Sequence, residues 1–168
     1  MKLSDGVEQA IHSVAMLATL EAGVVLPAAA LAEFHGVSPS YLLKHLQALS
    51  VAGLVKTTPG PNGGYRLAKS PDDITLLDIV LAVEGAQPAF RCAEIRQRGP
   101  NPLPGKPTAP CEINAAMLRA ERAYRAELAR VTIADIGVQV AAHDTTGAID
   151  ARRCAFLDLK QRRQSTSP

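Results

Sequence analysis

The sequence predicts a mostly α-helical protein with a small β-hairpin wing: a winged helix-turn-helix followed by a long C-terminal dimerisation helix. A helix, a short glycine turn and a second helix are expected within residues 27–51, the order of a helix-turn-helix. Two strand-like runs around a glycine- and proline-rich tip then predict a hairpin over residues 55–68. A long amphipathic segment after residue 112 has little to pack against in one chain, which favours pairing with a second copy.

The first two helices are predicted from apolar spacing and from their end residues. The first is expected over about residues 5–20, and its apolar stripe consists of Val7, Ile11, Val14 and Ala18. The second is expected over residues 27–34, because Pro27 suits a helix start and Gly36 follows the last turn.

The third helix has the clearest start. Ser38 is expected to cap it by accepting from a first-turn N–H, and Pro39 fits the first position, where no donor is needed. Its inward stripe consists of Leu42, Leu46 and Leu49. Strands are then predicted over residues 55–58 and 65–68, with residues 59–64 as the tip between them.

The second half of the chain is predicted to be helical around one loop. Thr75 and Asp78 form a plausible capping box for a buried helix that ends at Gly85, and Thr132 and Asp135 repeat the pattern later. Between them, a proline-rich loop separates Cys92 from Cys111. The long helix after it carries the apolar stripe Ile113, Met117, Ala120, Tyr124, Leu128 and Val131. The basic tail after residue 147 is expected to be disordered near its end.

Length, charge and motif content limit the classes of protein to which this sequence can belong. The 168 residues suffice for one small domain with an appendage, and a net charge of +2 is low for a nucleic-acid binder, so two copies acting together are expected. No signal peptide or membrane span is predicted, so we expect a cytoplasmic protein without a membrane partner. No nucleophile–base pair or phosphate loop is visible, so no catalytic site and no enzyme are expected.

The helix-turn-helix predicts which side chains contact double-stranded DNA. The N-terminal part of the third helix would enter the major groove, and the wing would contact the backbone or the minor groove. The expected contacts are Ser38, Ser40, Tyr41, Lys44 and His45 in the helix, and Thr57, Thr58, Asn62 and Tyr65 in the wing. A homodimer would require a palindromic or pseudo-palindromic operator.

Residues 1–137 resemble the winged-helix Rrf family of transcription regulators. The resemblance is carried by Ser-Pro-Ser-Tyr-Leu at 38–42, Ala-Gly-Leu-Val at 52–55 and Asn-Gly-Gly-Tyr-Arg-Leu at 62–67. It implies a homodimeric DNA-binding regulator, here expected to be a repressor, often controlled by an iron–sulfur cluster. The implied domains are residues 1–85 for DNA binding, 86–111 as cysteine loop, 112–137 for dimerisation, and 138–168 as a partly disordered extension. Many members carry an arginine at the position of Pro59.

The cysteines depart from the usual pattern of the family. Typical members have three in the loop, whereas here Cys154 lies beyond the dimer helix, so a three-cysteine site in one chain is excluded. Resemblance to a redox-sensing branch implies a 2Fe–2S cluster held by Cys92 and Cys111 of one chain and by Glu8 and His12 of its partner. Glu8 and His12, four residues apart, project from one side of the first helix.

Other interpretations remain open from the sequence alone. Glu8 and His12 could be a solvated helical pair, and Cys92 and Cys111 could form a regulatory disulfide or part of a zinc site. The protein would then be a cluster-free regulator that senses through thiols, zinc or a small ligand. A further alternative is an iron–sulfur electron-transfer or carrier protein with incidental DNA affinity.

Overall fold

The computed structural model describes the backbone of residues 3–165 and the side chains of residues 3–160. The described chain forms α1 (Asp5–Leu17), α2 (Ala28–His35), α3 (Pro39–Val51), α4 (Leu76–Glu84), α5 (Glu112–Leu128), α6 (Ile133–His143) and α7 (Ala148–Ser165). The strands are β1 (Val55–Thr58) and β2 (Gly64–Leu67), and short 3-10 helices lie at Pro71–Asp73 and Ile95–Gln97. Mostly helical structure with one small hairpin confirms the predicted fold class.

Helices α1 to α4 and the hairpin share one hydrophobic core. The stripe Leu42, Leu46 and Leu49 is fully buried, as its spacing predicts. Helix α1 ends at Leu17, three residues before the expected end. The chain tightens there because Thr19 bonds to Met16 O twice, through its backbone N–H at 3.1 Å and its hydroxyl at 2.8 Å.

The second helix lies within one residue of the expected boundaries, at Ala28–His35 where residues 27–34 were predicted. Pro27 directly precedes α2, and Gly36 ends it in the left-handed region at φ 67°, which favours glycine. Pro39 opens α3 as predicted, but the predicted cap by Ser38 is wrong. The Ser38 hydroxyl lies 3.1 Å from that of Ser40 and accepts from no first-turn backbone N–H within the described chain. The neighbouring hydroxyl competes for the same short side chain.

The wing is tied to the core through its second strand. The two strands are antiparallel, with Thr57 opposite Tyr65 and Thr58 opposite Gly64, so β2 starts one residue earlier than expected. Tyr65 also exchanges backbone hydrogen bonds of 2.9 and 3.0 Å with Leu26, just before α2. A Cβ at Gly64 would lie 2.5–2.8 Å from the backbone of Leu26 and Pro27, so this close approach requires glycine.

Both predicted capping boxes are present. Thr75 Oγ1 accepts from Asp78 N at 3.1 Å and Thr132 Oγ1 from Asp135 N at 3.1 Å, and each aspartate accepts from the threonine N–H in return. The two threonines also pair as an antiparallel bridge, so α4 and α6 begin side by side. This bridge anchors the chain after α5 to the core, where Ile133 is buried.

The C-terminal half presents an uncovered apolar face and an additional helix. No residue of α5 is buried in the described chain, and Ile113 and Met117 are 64% and 43% exposed. Residues 148–165 form α7, and the disorder expected near the C-terminus falls on residues 166–168, which lie outside the described part. None of the helices within residues 3–165 is both long and apolar enough to cross a membrane.

Candidate functional site

Polar side chains line the exposed N-terminal part of α3 and the wing. Ser38, Ser40, Tyr41 and Lys44 are all exposed, as expected for residues that face DNA. Thr57, Thr58 and Asn62 are exposed on the hairpin. Seven of the nine predicted DNA-contact side chains are therefore accessible on two neighbouring elements.

The structure does not place His45 on this surface. Its side chain is 7% exposed, and its ring lies against Gly6 of α1. The Nε2 atom has no hydrogen-bond partner among the described residues, and burial, followed by the charge of Lys44, lowers the pKa of His45 below its ordinary value. The DNA contact predicted for His45 is corrected: the ring joins α3 to α1, and its edge-to-face partner is Tyr41, at 4.6 Å between centroids.

The DNA contact predicted for Tyr65 is also corrected. Tyr65 is 9% exposed and packs into the core, and burial raises the pKa of its phenol. The residues that alternate with it are the exposed ones: Arg66 lies opposite Lys56, and both side chains are exposed. These two wing cations were missed from the sequence, although strand alternation around a buried Tyr65 could have identified them. They supply positive charge to a wing whose first tip residue, Pro59, carries none.

Glu8 and His12 lie on an exposed strip of α1. The His12 ring lies 5.7 Å from that of His35, the last residue of α2, at a tilt of 52°. His35 is half-buried and its Nε2 has no partner in the described chain. Its pKa is lowered by burial first, then by the charges of His12 and Arg152. The predicted Glu–His pair is thus accessible from outside the chain and borders the end of the helix-turn-helix.

The cysteine loop is braced by its own side chains. Cys92 is exposed, and the N–H of Glu94 points at its Sγ at 3.4 Å. The Arg96 guanidinium bonds to both carboxylate oxygens of Glu94, at 2.5 and 3.0 Å, and donates to Ala109 O at 3.4 Å. Cys111 is partly exposed and directly precedes α5.

The four predicted metal ligands do not converge within one described chain, where no group of three His, Cys, Asp or Glu side chains is placed to hold a metal. Their chemistry nevertheless suits a metal centre, because thiolates favour iron–sulfur and zinc sites and imidazole suits both metals. A site with all four ligands would therefore need a second chain. Cys154 lies apart on α7, with its Sγ 4.0 Å from Asp150 Oδ2.

The chain is similar to known proteins in sequence and in fold. Residues 3–139 match the profile of the Rrf2 family, described as an iron-dependent transcriptional regulator. A Lactococcus lactis subsp. lactis (strain IL1403) protein named as an HTH-type transcriptional regulator, YffB, is 34% identical over 150 residues, which cover 89% of this chain and 96% of that protein.

Two solved structures share the fold at lower sequence identity. The T. potens IscR structure has a TM-score of 0.66 at 23% identity and covers 89% of this chain and 96% of its own. The structure of CymR, the global cysteine regulator of B. subtilis, has a TM-score of 0.65 at 24% identity and covers 83% of this chain and 98% of its own. The winged arrangement described above therefore recurs in proteins whose sequences differ at most positions.

Proposed function

Because the chain belongs to the Rrf2 family of DNA-binding transcription regulators and is not an enzyme, we propose that it is a homodimeric repressor whose operator affinity follows the redox state of a 2Fe–2S cluster. The redox-sensing part of this proposal rests on one observation. The two pairs of candidate ligands are both accessible, and they lie apart within one chain. Glu8 and His12 lie on α1, and Cys92 and Cys111 bracket a braced loop that leads into α5. The family description as iron-dependent supports a metal at this site.

Dimerisation would complete the site. The apolar stripe of α5 is uncovered in the described chain, and a second copy of the same helix would bury it. In this arrangement, the cysteine loop of one protomer lies against α1 of its partner. Two cysteines from one chain and Glu8 with His12 from the other would supply the four protein ligands that a 2Fe–2S cluster needs.

DNA reading is assigned to the exposed residues of α3 and the wing. The N-terminal turn of α3 would enter the major groove, where Ser40, Tyr41 and Lys44 reach base edges or phosphates. Thr57, Thr58 and Asn62, with the cations Lys56 and Arg66, would contact the backbone beside it. Two protomers related by a two-fold axis would bind a palindromic or pseudo-palindromic operator.

The coupling between the two sites would run through the α1–α3 contact. A 2Fe–2S cluster, when bound, supplies a one-electron couple whose net charge differs between the two states. Glu8 and His12 would transmit a change at the site to α1, and Gly6 of the same helix lies against the buried His45 ring of α3. His45 in turn contacts Tyr41 at the DNA-facing end, so a displacement of α1 would alter the recognition helix.

The DNA-binding surface is tested by Lys44→Ala. Loss of one phosphate contact per protomer should weaken operator binding. It should also make the fall of log K with log salt concentration less steep, by about one unit of slope for each lost contact. Fluorescence anisotropy with an operator duplex between low and moderate salt measures the slope. Lys106→Ala, an exposed cation in the cysteine loop, is the matched control and should leave it unchanged. A wild-type slope in Lys44→Ala would remove Lys44 from the phosphate contacts.

The sensor is tested on protein purified without oxygen. Visible absorption, iron and acid-labile sulfide should be present in the wild type and in Cys154→Ser, and should be lost in Cys92→Ser and His12→Ala. Redox titration of the loaded protein, with operator affinity measured at each potential, then tests the switch. Equal affinity in the oxidised and reduced states would contradict redox control.

A second candidate is a cluster-free regulator that senses through its thiols, or through zinc at the same ligands. The exposure of Cys92 and the fold shared with CymR, the global cysteine regulator, favour a thiol pair with Cys111. A colourless, iron-free preparation that cannot be reconstituted, but whose operator affinity responds to a thiol oxidant, would support this candidate. A protein that binds a cluster but leaves no sequence-specific footprint would instead be an electron carrier.

A further inference from the structure

We propose that Arg96 is a positioning residue that holds Cys92 and Cys111 in a fixed relation, so that both can bind one shared ligand. The identity of that ligand, a metal centre, rests on the proposed function. The bracing itself is made by contacts within one chain. Arg96 lies between the two cysteines in sequence and bonds toward both ends of the loop.

The connection to Cys92 passes through Glu94. Glu94 has φ 48° and ψ 55°, a left-handed conformation that residues with a Cβ adopt rarely and keep only when their surroundings hold them. Arg96 supplies that hold by bonding to both carboxylate oxygens of Glu94, the geometry in which a guanidinium is most specific. In this conformation the Glu94 N–H points at Cys92 Sγ, at 3.4 Å.

The connection to Cys111 is made by the same guanidinium. Arg96 Nη2 donates to the carbonyl of Ala109, two residues before Cys111, at 3.4 Å. Its Nη1 lies 3.8 Å from a carboxylate oxygen of Glu112, the residue after Cys111 and the first of α5. The pKa of Arg96 is raised, chiefly by its bond to Glu94 and to a smaller extent by the charges of Cys111 and Glu112, which agrees with this placement.

Hydrogen bonds made by Leu103 and Gln97 add a second brace to the same short segment. The N–H of Leu103 donates to Arg96 O at 3.0 Å, and Gln97 Nε2 donates to the carbonyls of Leu103 and Gly105 at 3.4 and 3.1 Å. The far half of the loop therefore folds back onto residues 94–97. A ligand shared by the two cysteines would then meet an ordered loop and would not have to order one on binding.

Arginine is required for this role because one rigid group provides all of these donors. A lysine ammonium at the same position is a single flexible point charge and cannot bond to Glu94 through two parallel N–H groups while it also reaches Ala109. Arg98 lies two residues away, is exposed, and provides a matched charge outside the brace. The fixed cation also offsets part of the negative charge that two thiolates and a carboxylate would bring together.

The first test uses the metal-free protein and needs no cluster. Hydrogen exchange of the amides in residues 94–111 and the alkylation rate of Cys111 are compared in Arg96→Gln, Arg96→Lys and Arg98→Gln, with Cys154 as an internal reference. We expect Arg96→Gln to raise both rates about tenfold, as for loss of a hydrogen bond between charged groups. Alkylation is followed well above the ordinary pKa of a thiol, so that loss of the cation does not change the thiolate fraction. Arg96→Lys should lie between it and the wild type, and Arg98→Gln should match the wild type. Equal rates in Arg96→Gln and wild type would overturn the proposal.

Two further measurements separate the brace from other causes. Glu94→Gln combined with Arg96→Gln should change the rates no more than Arg96→Gln alone, and additive effects would show that the two residues act independently. After reconstitution with ferrous iron and sulfide, the visible absorption of Arg96→Gln should decay several-fold faster under a chelator than that of Arg98→Gln. If the wild type takes up no iron, the proposed function fails, while the metal-free rates still decide the role of Arg96.

Discussion

Gly6 of α1 lies directly against the His45 ring of α3. Gly6 is buried, and a Cβ built on it would overlap the His45 ring at three atoms. Tyr41 packs edge-to-face on the same ring, at 4.6 Å between centroids, so a displacement of the ring away from Gly6 would disturb that contact. The absence of a side chain at residue 6 is thus what lets the two helices approach.

Gly6→Ala should therefore destabilise the protein by about 1–3 kcal/mol, the usual range for overpacking a core. His45→Ala in the same variant should recover much of that loss, because it removes the atoms that the new methyl group meets. Urea unfolding followed by circular dichroism measures all four members of this double-mutant cycle. Strictly additive effects would show that Gly6 and His45 do not share one contact.

Individual side chains show which positions the sequence predicts and which it does not. Ser40 and Lys44 were placed correctly on the exposed side because the leucine stripe of α3 fixes the opposite side. His45 lies at the i+3 position from Leu42 and is buried with that stripe. Periodicity could have predicted its burial, but its polar ring was instead assigned to DNA contact. The proposed meeting of the cysteine loop with Glu8 is of a different kind, because it would join two chains and no local sequence pattern specifies a contact between chains.

Helix α7 docks on α2 through two aromatic rings and three charged groups. Phe156 packs on Phe34 with ring centroids 5.0 Å apart, and Arg152 lies over the Phe34 ring at 4.6 Å and donates to Phe34 O at 3.0 Å. Lys160 forms an ion pair with Glu33. The extension beyond the matched family region is thus attached to the helix-turn-helix itself.

Phe156→Ala should detach α7 from α2 while the core stays folded. A fully buried phenylalanine contributes about 3–5 kcal/mol over alanine, and this partly buried ring should contribute roughly half of that. Hydrogen exchange of α7 amides should rise, whereas the amides of α3 should keep their protection. Arg153→Ala is the control, since Arg153 pairs with Asp150 of its own helix. Unchanged protection of α7 in Phe156→Ala would exclude this docking as its main support.

Helices defined by local chemistry were predicted closely, and those defined by distant contacts were not. The capping boxes at Thr75 and Thr132 need only residues three apart, and both were predicted and found. The docking of α7 joins side chains more than 100 residues apart in sequence, such as Arg152 and Phe34. Spacing rules contain no information on such a contact, so helix α7 and its docking on α2 were not predicted.

Under the proposed function, a single chain would be incomplete in two respects. The apolar stripe of α5 is uncovered in the described structure, and the two candidate ligand pairs do not converge there. Pairing of two copies along α5 would both cover the apolar stripe and complete the set of four ligands. The modest net charge of +2 leads to the same requirement, because one protomer offers few phosphate contacts and two bound together gain from each other's binding.

Met117→Lys is the sharpest test of this arrangement, because Met117 lies within the α5 stripe and is 43% exposed. A charge there should separate the protomers without touching the core, so sedimentation should report the monomer mass. Operator affinity should fall at least about a hundredfold, since two linked half-site contacts become one. The visible absorption of a shared cluster should be lost together with the dimer. Ala126→Lys, exposed on the opposite face of α5, should preserve all three properties. A dimeric Met117→Lys protein with normal operator affinity would place the interface elsewhere.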